Sequence, residues 1–293
     1  MDDTIDALNN LSVSRDVLVV NSIDTLNKCK AAFKSETVLA WDCEGVEICR
    51  FGQITVVQLA TRKTCFLLDF LAPEPARAKI VLFAKAILED DKVVKIIHDP
   101  AADSDGLFHK HGIKVSGIHD TQSWYMVIKK TENRMNLNAT LEAFGCETND
   151  VRDSDIYRTN PSFWATRPFT TQMTEWASGD VVYLFELYKK QRQVATQSQK
   201  DAASAKTDLR VGQMRDAMVQ EIQVHRTQVG NFIGKGGSNI RFLETELGVV
   251  FHCKNRQKRD GKFLIYSPDE KTHEKAKNAV QAYTRAWRRN AYY

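Results

Sequence analysis

Residues Val38–Gly45, VLAWDCEG, restrict what this chain can fold into more than any other short stretch. An apolar run ends on Asp42, skips Cys43, and reaches Glu44 just before a glycine. The run reads as a strand. Residues at i and i+2 of a strand share a face, so Asp42 and Glu44 point the same way and Cys43 points to the opposite, buried side. Carboxylate oxygens are the preferred ligands of Mg²⁺ and Mn²⁺. Two such ions about 4 Å apart suit the attacking and leaving oxygens of a phosphodiester. That chemistry needs further acids from elsewhere in the chain. An ordinary strand end with a turn is the competing reading.

Four other segments have strand character: RDVLVV, QITVVQLAT, TCFLLDF and KVVKIIH, the last ending at His98. Helical periodicity prevails from Ala101 to about Phe185. Strands first and then helices predict an α/β layer fold. Asp99, before Pro100, and Asp120, in HDTQ, are expected to cap the helices that follow them. From Gln191 to about Asp216 the sequence turns polar and rich in Ala, Gln and Lys, so a linker or helical spacer is expected there. The expected organisation is a tail over residues 1–14, a first domain over 15–190, the spacer over 191–214, and a second domain over 215–290.

The 293 residues are 43% apolar, enough for packed cores. No apolar run approaches the roughly 18 residues of a membrane span. The start, MDDTIDALNN, lacks the basic and apolar regions of a signal peptide, so the cytosol or nucleus is the expected location. Six cysteines at 29, 43, 49, 65, 146 and 253 include no CxxC pair and are expected to be free thiols. Charge is unevenly spread. Residues 211–293 carry 15 Lys/Arg against 8 Asp/Glu (+7), and the rest carries 26 against 29 (−3). The C-terminal segment is therefore suited to a polyanion.

That segment reads as strand MVQEIQV, helix QVGNFIG, loop GKGG, helix SNIRFLETELG, strands VVFHCK and KFLIYS, and a long last helix. Glycines let the backbone of Gly234, Lys235, Gly236 and Gly237 approach a ligand, and the next helix directs its N–H groups at an anion. Lys235 adds a mobile charge, and Arg241 lies within reach of a phosphate. The run Lys254–Lys262 is a second candidate phosphate contact, or a solvated hairpin loop. The β-α-α-β-β-α order and VGNFIGKGGSNIRFLE resemble a KH domain of the eukaryotic type, over residues 215–290. The resemblance implies that the GXXG loop grips the backbone of single-stranded RNA, or of single-stranded DNA.

Two places offer the missing acids. KIIHDPAADSDGLFHKHGI carries Asp103 and Asp105, and MTEWASGDVVYLFEL carries Asp180. With VLAWDCEG, HDTQ, WASGD and NPSFWATRPFT, these resemble the DEDD family of 3′–5′ exonucleases, of the ribonuclease D type, in the exonuclease-domain-containing and Egalitarian-like subgroup. The resemblance covers about residues 15–190. It implies a ribonuclease H-like fold, with a mixed five-stranded sheet flanked by helices. It also implies that Asp42, Glu44, Asp103 and Asp180 hold two Mg²⁺ or Mn²⁺ ions, with Asp105 as the rival of Asp103. The implied reaction releases mononucleotides from a 3′ end.

The third motif departs from that pattern. The active Tyr-type branch has a tyrosine four residues before the last acid, where this chain has Trp176. An indole offers only an N–H donor and cannot act as a general base. Tyr183 and Glu175 are the candidate substitutes. The sequence therefore supports a metal-dependent exoribonuclease with an RNA-binding KH domain. The alternative is an exonuclease-fold RNA-binding adaptor whose catalysis is impaired at Trp176.

Overall fold

The computed structural model describes residues 16–153, 155–253 and 261–290, which fall into two compact units divided between Val211 and Gly212. The first unit begins with β1 (Asp16–Val20), α1 (Ile23–Phe33), β2 (Val38–Val46), β3 (Gln53–Ala60) and β4 (Thr64–Asp69). It continues through α2 (Ala76–Glu89), β5 (Val94–Ile97), α3 (Ala101–His111), β6 (Ile118–Asp120), α4 (Thr121–Lys129), α5 (Leu137–Ala143) and α6 (Ile156–Thr159). A 3₁₀ turn, Phe163–Ala165, leads to α7 (Thr171–Val182), α8 (Leu184–Val194) and α9 (Gln197–Arg215).

The sheet has the order β1-β4-β3-β2-β5-β6. β2 is central, antiparallel to β3 and parallel to β5. It is buried on both faces, as its unbroken apolar run requires. Leu39, Trp41 and Cys43 pack into one core with Leu26, Ile80 and Leu107. Ala40 packs into a second core with Trp164, Trp176 and Val181. Asp42 and Glu44 continue the Ala40 face toward the strand end, so they meet α7 and not α1 or α2. The sheet has six strands, not the expected five. The sixth, Ile118–Asp120, pairs parallel with β5 and ends on the residue that caps α4.

Asp120 accepts hydrogen bonds from the backbone N–H of Gln122 and Ser123, as the sequence predicted. Asp99 departs from expectation. The N-cap of α3 is Pro100, which makes no side-chain cap bond. Asp99 instead adopts φ 59° and pairs with Arg210 of α9.

The polar stretch after residue 190 is helical. Gln191, fully buried in α8, shares a hydrogen bond of 3.0 Å with His119 and donates to the Thr121 carbonyl. Ala195 and Ala203 pack on Trp124. A face of small side chains against one large indole buries a helix that carries few large apolar residues of its own.

The second unit contains β7 (Met218–Gln223), α10 (Val229–Ile233), α11 (Ser238–Leu247), β8 (Val250–Cys253), β9 (Lys262–Ser267) and α12 (Glu270–Asn290). Its antiparallel sheet has the order β7-β9-β8. Phe232 anchors the core, edge-on to Phe251 and Phe263. All six cysteines are free thiols.

Candidate active site and nucleic-acid interface

Asp42 and Glu44 of β2 and Asp180 of α7 each bring one carboxylate oxygen within 4.8 Å of the others. Glu44 and Asp180 are buried, and Asp42 is half-buried. Burial, then the charges of Asp103 and Asp180, hold the Asp42 pKa well above the usual carboxylate range. Glu44 is raised by burial and then by Asp42 and Asp180. Three acids this close and this dry cannot all ionise without a compensating cation.

Asp103 lies in the first turn of α3, outside the tight group of three but near enough for its charge to reach Asp42. It lies near the Cys43 thiol, which sits between the two β2 carboxylates and helps to hold its pKa down against burial. Burial pushes its pKa up to about 7. Its rival is occupied elsewhere. Asp105 is fully buried and accepts from the Arg50 backbone N–H at 2.6 Å and from Arg50 Nε at 2.8 Å. Arg50 Nη2 lies 2.8 Å from the same carboxylate. That ion pair fastens the loop after β2 to α3.

The acid on α7 has partners that the sequence reading missed. Asn149 Nδ2 donates to Asp180 Oδ1 at 2.9 Å and to the Trp176 carbonyl at 3.0 Å. Arg152 Nε lies 3.3 Å from the same Oδ1. Burial raises the Asp180 pKa, opposed by the Arg152 charge and then by the Asn149 side-chain donor. The close approach of Asn149 requires Gly179, because a Cβ there would lie 2.5 Å from the Asn149 side chain. Both partners come from the irregular segment TNDVRD, which has no periodicity to betray them. WASGD held the one available sign, a glycine inside a helix.

Trp176 is buried one turn before Asp180, edge-on to Trp164 at 5.5 Å and beside Phe163. Glu175 and Tyr183 line a cleft of about 530 Å³ with Ser178 and Val182. Asn149 and Gly179 also line it, whereas Asp180 and Trp176 do not. His98 bridges Thr121 Oγ1 and the Met135 carbonyl, which is a structural role.

The acid cluster fits divalent ions. Every candidate ligand is a carboxylate oxygen, and Asp180 Oδ2 is buried with no hydrogen-bond partner among the described residues. Asp42, Glu44 and Asp180 are the residues positioned to hold an ion, with Asp103 alongside.

In the second unit, Gly236 and Gly237 have φ 58° and 80°, a conformation that costs an L side chain about 1 kcal/mol or more. The turn is closed by Gly237 N–H donating to the Gly234 carbonyl at 3.0 Å. Asn239 Nδ2 bridges back to the Asn231 carbonyl at 2.7 Å, a brace that the sequence reading also missed. Lys235 and Gly236 are exposed. Arg241 folds beside the turn, its Nη1 only 2.7 Å from where a Gly237 Cβ would lie. The exposed backbone, the lysine and the arginine thus share one surface at the start of α11. Most of the Lys254–Lys262 run lies outside the described residues.

An oxygen-only acid cluster thus lies toward the end of a central strand, on a sheet with helices on both faces. The family model for 3′–5′ exonucleases matches residues 17–194, and the KH domain model matches 219–282. The chain belongs to the 3′–5′ exonuclease family and carries a C-terminal KH domain. It is 28% identical over 167 residues to the mouse piRNA biogenesis protein EXD1, covering 53% of this chain and 29% of that protein. The human protein of that name is 37% identical over 90 residues, covering 30% and 17%. The chain thus spans less than a third of these relatives. Among solved structures, Trypanosoma brucei RNase D has a TM-score of 0.60 at 20% identity, covering 69% of this chain and 74% of that one. Its complex with RNA U12 gives 0.58 at 20%, covering 72% and 73%. These likenesses establish an RNase D-like fold.

Proposed function

We propose that this chain is a metal-dependent 3′–5′ exoribonuclease that trims single-stranded RNA, which its KH domain binds. One observation carries the reading: Asp42, Glu44 and Asp180 converge to within 4.8 Å, on a chain of the exonuclease family. Asp103 is the fourth acid of the proposal. Two Mg²⁺ or Mn²⁺ ions held there would supply positive charge to the attacking and leaving oxygens of the phosphodiester. Asn149 fixes the rotation of the Asp180 carboxylate. Trp176 shields the cluster from one side and takes no proton. A missing general base typically costs about 10²–10⁴ in rate, so slow turnover is expected. Lys235, Arg241 and the backbone of Gly234–Gly237 would hold the phosphates of the strand. An RNA substrate accords with relatives named for piRNA biogenesis and with the RNase D crystallised on RNA U12.

A second reading, the RNA-binding adaptor, is favoured by Trp176 itself, locked against Trp164 and Phe163 where a hydroxyl is expected. One assay separates them. A single-stranded RNA labelled at its 5′ end is incubated with Mn²⁺ and either the protein or its Asp42→Ala variant. A ladder of shortened products that vanishes in the variant supports the enzyme. Binding without a ladder in either protein supports the adaptor. The same assay with single-stranded DNA sets the sugar preference.

A further inference from the structure

Asp180 is shared unequally. Its Oδ1 receives Asn149 Nδ2 at 2.9 Å and faces Arg152 Nε at 3.3 Å, while its Oδ2 is buried with no hydrogen-bond partner among the described residues. The Arg152 side chain is 35% exposed, whereas the Asp180 side chain it meets is fully buried. The guanidinium therefore lies at the mouth of the acid cluster, 6.0 Å from the centre of the Trp176 ring. Asn149 and Arg152 reach one carboxylate from a single short segment. Asn149 anchors that segment through a reciprocal pair with Asn138, its N–H donating to Asn138 Oδ1 at 3.1 Å and its carbonyl accepting from Asn138 Nδ2 at 3.0 Å. Beyond this anchor, the Arg152 charge meets Asp180 and also reaches Asp42 and Glu44.

We infer that Arg152 is a tethered counter-ion that competes with divalent metal for the acid cluster, so that loading the site requires its guanidinium to leave Asp180. The inference rests on the reading above, that the cluster takes divalent ions. Its physical basis is direct. A guanidinium on Oδ1 and a divalent ion held by the same buried carboxylate would be like charges only a few ångströms apart, screened by solvent only in part. Without metal, the guanidinium offsets acids that would otherwise repel one another. With metal, it is surplus. Asn149 is neutral and makes its contact in either state, so it is a positioning residue and Arg152 is the exchangeable one.

The test is Mn²⁺ binding to the full chain, read by electron paramagnetic resonance of free Mn²⁺. The proteins compared are the wild type, Arg152→Gln, Arg152→Lys and Asp42→Ala. Arg152→Gln is expected to bind Mn²⁺ about ten- to a hundredfold more tightly than wild type, the range that one hydrogen bond to a charged group carries. Arg152→Lys, which keeps the charge, is expected to stay within a few-fold of wild type. Equal or weaker binding by Arg152→Gln overturns the competition and leaves the metal site standing. Binding in no variant, with wild type indistinguishable from Asp42→Ala, overturns the metal reading and this inference with it. A second measurement needs no variant. Backbone hydrogen exchange over residues 148–153 of the wild type is expected to speed up when Mn²⁺ is added. Unchanged or slower exchange there would count equally against it.

Discussion

The GKGG turn is built from four consecutive residues, with an arginine folded beside it. The acid cluster draws on β2, α3, α7 and an irregular segment between α5 and α6. The turn is held by backbone dihedrals and short-range hydrogen bonds. The cluster is held by the packing of two cores against a central strand. A local site fails when its own residues change. A dispersed site also fails when any element that delivers a side chain is displaced.

The largest effects should separate the two regions cleanly. Asp42→Ala is expected to lower trimming by more than about a hundredfold, beyond what loss of an outer-shell partner costs a metal site. RNA affinity, read by fluorescence anisotropy, should not change. The double variant Gly236→Asp and Gly237→Asp should do the reverse. It should weaken RNA binding at least about tenfold by placing two anions and two strained residues on the phosphate path, while Mn²⁺ affinity stays constant. Loss of both properties in either protein would break the division. Trp176→Tyr sharpens the comparison within the cluster. If the missing hydroxyl is the whole defect, initial rates rise by up to about 10²–10⁴.

Smaller effects test the delivery of the dispersed site. Gly179→Ala places a methyl 2.5 Å from Asn149 and should cost about 1–3 kcal/mol in urea unfolding of the first unit, with weaker Mn²⁺ binding. Arg210→Ala removes a partner from Asp99 and should cost about 1–2 kcal/mol. The smallest effect is a pH dependence. Burial holds the His119 pKa down at about 3. Below pH 6.5 the unfolded chain takes up a proton that the folded His119 refuses, so its contribution falls on acidification from about 6.5 toward 3, at no more than about 1.4 kcal/mol per pH unit. His119→Gln is expected to flatten the difference in unfolding midpoint between pH 7.5 and 5.5. An unchanged slope would remove His119 from the account.

Parts of the cluster were legible because they follow short periods. Asp42 and Glu44 share a strand face by the period of two, and Trp176 and Asp180 share a helix face by the spacing of four. Asp103 and Asp105 lie two residues apart on one helix, and spacing could not choose between them. The Arg50 ion pair settles where Asp105 goes, and Arg50 arrives from the loop after β2. Arg152 and Asn149 were invisible because an irregular segment has no period that announces its direction. The stretch after Gln191 read as polar because alanines against Trp124 bury a helix without the usual apolar stripe.

The sequence by itself determined most of the elements, the GXXG turn, and the two carboxylates that end β2, because each depends on interactions within a few residues. Only the tertiary structure decided that a sixth strand completes the sheet, that Asp105 pairs with Arg50, and that Asp180 answers to Arg152. Those outcomes depend on which distant side chains meet in a dry interior, where an unpaired charge is costly enough to dictate its partner.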